Sequence, residues 1–322
     1  MDNVKRNLFL LSMAQFVLLA SVVTVITYSS LVAKMMTGDN ALATIPAATA
    51  FLATAAFAFP ASMFMKRFGR KAGFYTGATF GGIGGLLAVI SIYTNNYFLL
   101  CLATFSHGTY QSFANYYRFT AMEVSPKSYH KQAVSYVILG GVFAGLSAPT
   151  LARLFESNYF EPVVYAGTYC LIIFLSLVAC TLIYLIKLPP RKKLPDDHVP
   201  AANPKVMDVL KRPAFICASL SATAAYLSMS FIMTATPLEV VEVCGFLVEE
   251  AAGVIQWHSI SMFAPAIITG TLIARFGSIK MILGGMILML VSTLIAKAGV
   301  ELYNFYAALV LIGIGWNFMF TA

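Results

Sequence analysis

The stretch Lys66-Arg67-Phe68-Gly69-Arg70-Lys71 lies between two long apolar runs of the chain. A charge at the bilayer centre costs about 2.5–3.5 kcal/mol, so this basic stretch cannot lie in hydrocarbon. We predict a tight loop between two membrane spans, facing the cytoplasm because of its positive charge. A weaker copy, Arg275-Phe276-Gly277-Ser278-Ile279-Lys280, occurs later in the chain. Either both are ordinary basic loops, or the two Arg-Phe-Gly turns mark an internal repeat, which we favour.

Composition places most of the chain inside a membrane. Of its 322 residues, 59% are hydrophobic and only 11% are charged, whereas soluble domains carry about 25% charged residues. The net charge of +8 would suit a nucleic-acid partner. However, the topology predicted below puts all but Lys34, Arg153 and Lys297 of the 21 Lys and Arg residues on one side. That bias is typical of cytoplasmic loops, so we expect a lipid bilayer and no nucleic acid as a partner.

Ten apolar runs are long enough to cross a bilayer, since a span needs about 20 residues. Each run can satisfy its backbone hydrogen bonds in lipid only as a helix, so we predict an all-α integral membrane bundle. The runs cover roughly residues 8–33, 43–65, 73–94, 97–120, 133–154, 162–187, 213–236, 250–274, 279–298 and 302–322.

The loops between these runs predict orientation and domain organisation. Basic loops follow every second span, so the N-terminus is expected in the cytoplasm of a multi-pass inner-membrane protein. The proline-rich, basic segment 188–212 is predicted to be a cytoplasmic linker. It divides the chain into a six-helix N-terminal half, 1–187, and a four-helix half, 213–322. Because the last run has no polar flank, we expect a chain truncated after its tenth span.

This architecture resembles the major facilitator superfamily of secondary transporters, whose loop signature is Gly-x-x-x-Asp-Arg-x-Gly-Arg-Lys. The match is carried by Arg67, Gly69, Arg70 and Lys71, while Ser62 and Lys66 depart from it. The resemblance implies that this loop motif and its second copy, at Arg275 and Gly277, control conformational change. In the family the acid at the position of Lys66 helps to latch the two halves, and the resemblance does not extend to that latch here.

Two further short sequences resemble those of a bacterial permease subgroup. Some riboflavin-type importers are related to that subgroup. They are Gln256-Trp257-His258 and Gly315-Trp316-Asn317. The family resemblance also implies that spans one, four, seven and ten line the substrate cavity.

Span four carries the clearest candidate site. His107, Gln111, Asn115 and Arg118 are spaced by four, four and three residues, which predicts one helix face. One interpretation is a cavity stripe that binds substrate, with His107 carrying a proton. The other is hydrogen bonding between helices, with Arg118 extending its charge to the membrane surface.

Other spans contribute single candidates for substrate binding. Gln15 in span one and Tyr226 in span seven are polar groups within apolar runs. Trp316 with Asn317 in span ten would suit stacking of a flat ligand, although core packing also explains them.

Asp and Glu are absent from the depth of every predicted span. Coupling to a proton or another ion would therefore use His107, His258 or an acid beyond these ten spans, or transport is uncoupled. Because no nucleophile–base pair, metal cluster or nucleotide loop is apparent, we expect no enzyme, cofactor or metal.

We therefore predict a secondary transporter that moves a small organic solute by alternating access. A broad-specificity exporter of drugs or metabolites is the alternative within transport. A non-transporting, truncated membrane remnant is the alternative from another class.

Overall fold

The computed structural model describes residues 2–159, 163–188, 208 and 210–322, and this part of the chain is helical without any strand. A 3₁₀ turn spans Lys127–Tyr129, and a π-helical turn spans Glu239–Val243. The α-helices are α1 (Asp2–Thr37), α2 (Asn40–Ala43), α3 (Ile45–Phe68), α4 (Arg70–Tyr93), α5 (Tyr97–Ala114), α6 (Tyr117–Glu123), α7 (His130–Tyr159), α8 (Ala166–Leu185), α9 (Pro213–Leu238), α10 (Val248–Phe263), α11 (Ala266–Phe276), α12 (Ser278–Ala298) and α13 (Leu302–Thr321).

The helix ends follow from local chemistry. Pro213 opens α9 and Pro46 lies in the first turn of α3, where the missing N–H of proline would be unpaired in any case. The Asn96 side chain accepts a hydrogen bond from the Leu99 N–H at the start of α5. Gly38, with φ of +68°, follows α1, and its N–H bonds to the Lys34 carbonyl.

The all-α membrane fold is confirmed. Within the described residues, eight helical stretches are long and apolar enough to cross a membrane, and the bent pair α10 and α11 makes a ninth. The expected span at 97–120 is not among them. It is divided into α5 and α6 near Asn115, and polar residues such as His107 and Gln111 lower its hydropathy. The division into six and four spans stays a prediction, and most of the linker 188–212 lies outside the described residues.

Glycines allow the first helix group, α1–α8, to pack closely. A Cβ on Gly108 of α5 would overlap the Ala50 carbonyl oxygen of α3. On the other side of α5, a Cβ on Gly84 of α4 would lie 2.8 Å from the Ala103 carbonyl oxygen. Small residues of this kind let membrane helices approach at the backbone, so α5 is held tightly between α3 and α4.

The second helix group, α9–α13, contacts the first at several places, two of them through Gln256 and Leu238. Gln256 of α10 donates a hydrogen bond from Nε2 to the Leu146 carbonyl of α7, at 2.6 Å. Leu238, at the end of α9, is buried among apolar residues that include Val25 and Leu31 of α1. At the opposite end of the bundle, Asn7 exchanges two hydrogen bonds with the backbone of Lys187. The end of the bundle at which Leu238 lies is called the Leu238 end below.

Candidate functional site

A cavity of about 260 Å³ lies between the two helix groups beside the middle of α1. Its wall includes residues of α1, α5, α6, α7, α9, α10 and α13. Seven of the eight residues that the sequence predicted for substrate binding line it: Gln15, Gln111, Asn115, Arg118, Tyr226, Trp316 and Asn317. At the Leu238 end the two helix groups touch through apolar side chains.

An aromatic wall forms one side of the cavity. Trp316 and Phe320 lie four residues apart on α13, and their rings stack with centroids 4.7 Å apart and planes 16° apart. Tyr226 of α9 meets both rings edge-on, each at 5.2 Å. Phe263 of α10 contacts Trp316 edge-on at 6.3 Å. Such a surface suits a flat conjugated ring.

Polar groups are placed along the rest of the wall. Gln111 accepts a hydrogen bond at Oε1 from the Thr54 hydroxyl, at 3.2 Å, and no described residue accepts one from its Nε2. The indole N–H of Trp316 is buried without a partner among the described residues. Buried donors normally find acceptors, so the Trp316 N–H is a candidate for binding a ligand, and the Gln111 amide lies in the same wall.

Asn317 has a positioning role in addition to its place in the wall. Pro265 has no N–H, so helix hydrogen bonding is interrupted between α10 and α11, which bend by 43°. The Met262 carbonyl accepts a hydrogen bond from Asn317 Nδ2 at 2.8 Å, and the Thr269 hydroxyl donates to Asn317 Oδ1 at 2.6 Å. Asn317 therefore holds α13 to both sides of the bend.

Arg118 brings a positive charge to the cavity. It lies at the start of α6, just after α5 ends beside Asn115. Its guanidinium carbon is 5.1 Å from the ring centroid of Phe119 and 5.6 Å from that of Phe320. The second contact joins the two helix groups by a cation–π interaction.

His107 is the predicted site residue that the structure does not bring to the cavity. It is 2% exposed and packs against the backbone-to-backbone contact of α4 with α5 at Gly84. Its ring meets Tyr110 edge-on at 5.8 Å, and no described residue bonds to either ring nitrogen. A substrate-binding role for His107 stays a prediction, and this geometry does not favour it.

His258 is also enclosed. Its Nδ1 lies 2.8 Å from the Leu309 carbonyl, to which it donates because a carbonyl only accepts. This bond joins α10 to α13 away from the cavity wall.

A wider groove of about 960 Å³ runs between α3, α5 and α9 and shares Phe51, Gln111, Asn115 and Tyr226 with the cavity. Sequence reasoning missed Phe51, Phe263 and Phe320. Phenylalanine in an apolar run carries no signal of its own. Only Phe320 had one, its spacing of four residues from Trp316.

The loop motif forms a turn between α3 and α4. Gly69 adopts φ of 94° and ψ of 161°, a conformation that is nearly restricted to glycine. Arg70 donates to Glu123 at the end of α6, with the shortest N–O distance 2.5 Å. Lys71 Nζ donates to the carbonyls of Tyr184 and Ile186 at the end of α8, at 2.9 and 3.2 Å. Gly277 forms the matching turn between α11 and α12, after Arg275.

Comparison with known proteins places these features in a family. The family model described as Major Facilitator Superfamily matches residues 8–322. The riboflavin transporter RfnT of Brucella anthropi is 33% identical over 316 residues, which are 98% of this chain and 79% of that protein.

Solved structures share the fold at low identity. The fucose:proton symporter FucP of E. coli aligns with a TM-score of 0.62 at 19% identity, over 97% of this chain and 82% of that one. A bacterial homologue of the human lysosomal transporter Spinster, in an inward-facing and occupied conformation, aligns with a TM-score of 0.63 at 15% identity. That alignment covers 97% of this chain and 72% of the other.

Proposed function

This chain belongs to the major facilitator superfamily, and from that membership we propose that it carries a small organic solute across the bacterial inner membrane by alternating access. The two helix groups would rock around the cavity, opening it to one side of the membrane and then to the other. No covalent chemistry is part of this proposal.

The cavity is the observation that carries the proposal. Its wall draws polar and aromatic side chains from both helix groups, among them Gln15 and Gln111 from the first and Tyr226 and Trp316 from the second. A site shared by two bodies that move against each other changes its access whenever they move. Apolar packing around Leu238 gives the two groups a contact beside the cavity about which they could rock.

Riboflavin is the first solute to test. The stacked rings of Trp316 and Phe320 suit a flat heterocycle, and the Gln111 amide suits its polar edge. A relative that is 33% identical is named as a riboflavin transporter, which supports the same choice.

Uptake into proteoliposomes tests the proposal. Riboflavin should accumulate in vesicles that contain the chain, and imposing a pH gradient tests coupling to protons. Gln111→Ala should weaken apparent affinity about two- to twelvefold, because one hydrogen bond contributes about 0.5–1.5 kcal/mol. Tyr226→Ala, which removes part of the aromatic wall, should weaken it at least as much.

Gln132→Ala is the matched control, since Gln132 is exposed on α7 and lies outside both cavity linings. Each variant should be present in vesicles at the same level as the parent. Riboflavin uptake that is unaffected by Gln111→Ala and Tyr226→Ala would remove this cavity as the binding site. A parent chain that takes up no riboflavin would remove riboflavin as the solute.

A broad-specificity exporter is the second candidate. Met229, Met233 and Met262 line the cavity, and flexible methionine side chains adapt to apolar ligands of different shapes. An exporter of this kind would pump several unrelated apolar dyes from cells, whereas a dedicated carrier would not.

A further inference from the structure

Arg118 gives the cavity an uncompensated positive charge. Among the described residues of the wall, it is the one side chain that is charged at neutral pH, because Asp, Glu, Lys and His are absent from the lining. The ion pair present in the described part of the chain, Arg70 with Glu123, lies outside the cavity. A charge in a site of low dielectric constant is costly unless an opposite charge accompanies it.

The guanidinium group of Arg118 has hydrogen-bond donors that no described residue accepts from. Its Nε is buried, and no described residue accepts a hydrogen bond from it. The rings of Phe119 and Phe320 attract the cation through their faces but provide no oxygen acceptor. The planar guanidinium group, with N–H donors along its edge, therefore faces a cavity whose described lining contains no acid.

We infer that Arg118 gives the cavity an oxyanion subsite, so that a solute carrying a carboxylate or a phosphate binds more tightly than riboflavin, which carries neither. This inference rests on the proposed transport function and names the class of solute. Guanidinium groups bind carboxylate and phosphate through two parallel hydrogen bonds. Phe320 contacts both Arg118 and Trp316. A flat ring against the aromatic wall would thus direct an acidic edge toward Arg118.

Fluorescence of Trp316 tests the charge directly, without knowledge of the solute. The chain has two tryptophans, and the other, Trp257, is 54% exposed and lies outside the cavity. In a Trp257→Phe background, the full chain is purified in detergent. Quenching of Trp316 is then measured with iodide, an anion, and with acrylamide, which is neutral.

Arg118→Gln should lower the iodide quenching constant about threefold while leaving the acrylamide constant unchanged, since one charge changes the local concentration of an anion by that order. Arg153→Gln is the control, because it removes the same charge from an exposed site on α7. If both variants change iodide quenching equally, the cavity has no specific anion site and the inference is overturned.

Riboflavin and its phosphate ester, flavin mononucleotide, form a matched pair that separates this inference from the proposed function. In a thermal-shift assay the phosphate ester should stabilise the parent chain more than riboflavin does. Arg118→Gln should abolish that difference, and Arg118→Lys should keep part of it. Equal or greater stabilisation by riboflavin would overturn the oxyanion inference and leave the transport proposal intact. Binding of neither flavin would contradict flavins as solutes, and iodide quenching would still decide the charge of the site.

Discussion

The turns at Gly69 and Gly277 have nearly the same backbone but different side-chain anchors. Gly69 has φ and ψ of 94° and 161°, and Gly277 has 83° and 155°. Each glycine N–H bonds to the carbonyl four residues earlier, at 2.9 Å for Gly69 and 2.8 Å for Gly277. Each glycine carbonyl accepts a bond from the N–H four residues later. The same Arg-Phe-Gly sequence thus ends one helix and begins the next in both places.

The side chains that tie the first turn to other helices are not repeated at the second turn. Arg70 reaches Glu123, and Lys71 reaches the end of α8. The positions that match them at the second turn are Ser278 and Ile279, which carry no charge. Arg275 matches Arg67 instead, and each guanidinium lies over the ring of the phenylalanine that follows it, at 5.4 and 5.2 Å. The comparison shows that glycine determines the shape of the turn, whereas its attachment depends on partners supplied by other helices.

The largest effect is expected from removing the shared backbone conformation. Gly69→Ala and Gly277→Ala should each lower stability by about 1–3 kcal/mol, because an L side chain is strained in this region of φ and ψ. Thermal unfolding in detergent measures this, and the two losses should be similar. Gly270→Ala is the control, since Gly270 lies in α11 with open space around it. A tolerated alanine at Gly69 would contradict the common turn geometry.

A smaller effect should distinguish the two turns. Lys71→Met removes a cation from the carbonyl end of α8 and should cost about 1 kcal/mol. Lys280→Met, near the second turn, should cost less, because no described residue accepts a hydrogen bond from Lys280. Their unfolding temperatures should therefore separate. Equal losses from both variants would mean that the bonds of Lys71 to Tyr184 and Ile186 contribute nothing to stability.

The smallest effect is expected from the ion pair. A double-mutant cycle with Arg70→Gln and Glu123→Gln should give a coupling of about 0.2–1 kcal/mol, because the Glu123 side chain is 50% exposed and solvent screens the pair. The coupling should decrease at high salt. Arg275→Gln in place of Arg70→Gln should show no coupling to Glu123. Coupling of Arg275 to Glu123 would break the contrast between the turns.

Local patterns were enough to predict the helices and most of the polar side chains of the cavity wall. Apolar length predicts a helix in lipid, and the spacing of Gln111, Asn115 and Arg118 predicts a shared face that does line the cavity. His107 fits the same spacing, but α4 encloses it where Gly84 lets the two backbones approach. That approach depends on a glycine in another helix, which the pattern along α5 does not contain.

Contacts between side chains that are far apart in the chain could not be predicted from the sequence, for the same reason. The pairing of Arg70 with Glu123 joins residues 53 positions apart. The bond from Asn317 to Met262 requires both the bend at Pro265 and the position of α13. Each helix was predicted from its own sequence, but which side chains contact each other depends on how the helices pack.

The contact of Gly108 with Ala50 has a mechanical consequence. Where two backbones touch without side chains between them, the two helices are packed tightly, and we expect them to move as one rigid unit. Because α3 and α5 form one wall of the wide groove and α9 forms the other, we expect the groove to widen or narrow by movement of α9 relative to that stiff wall.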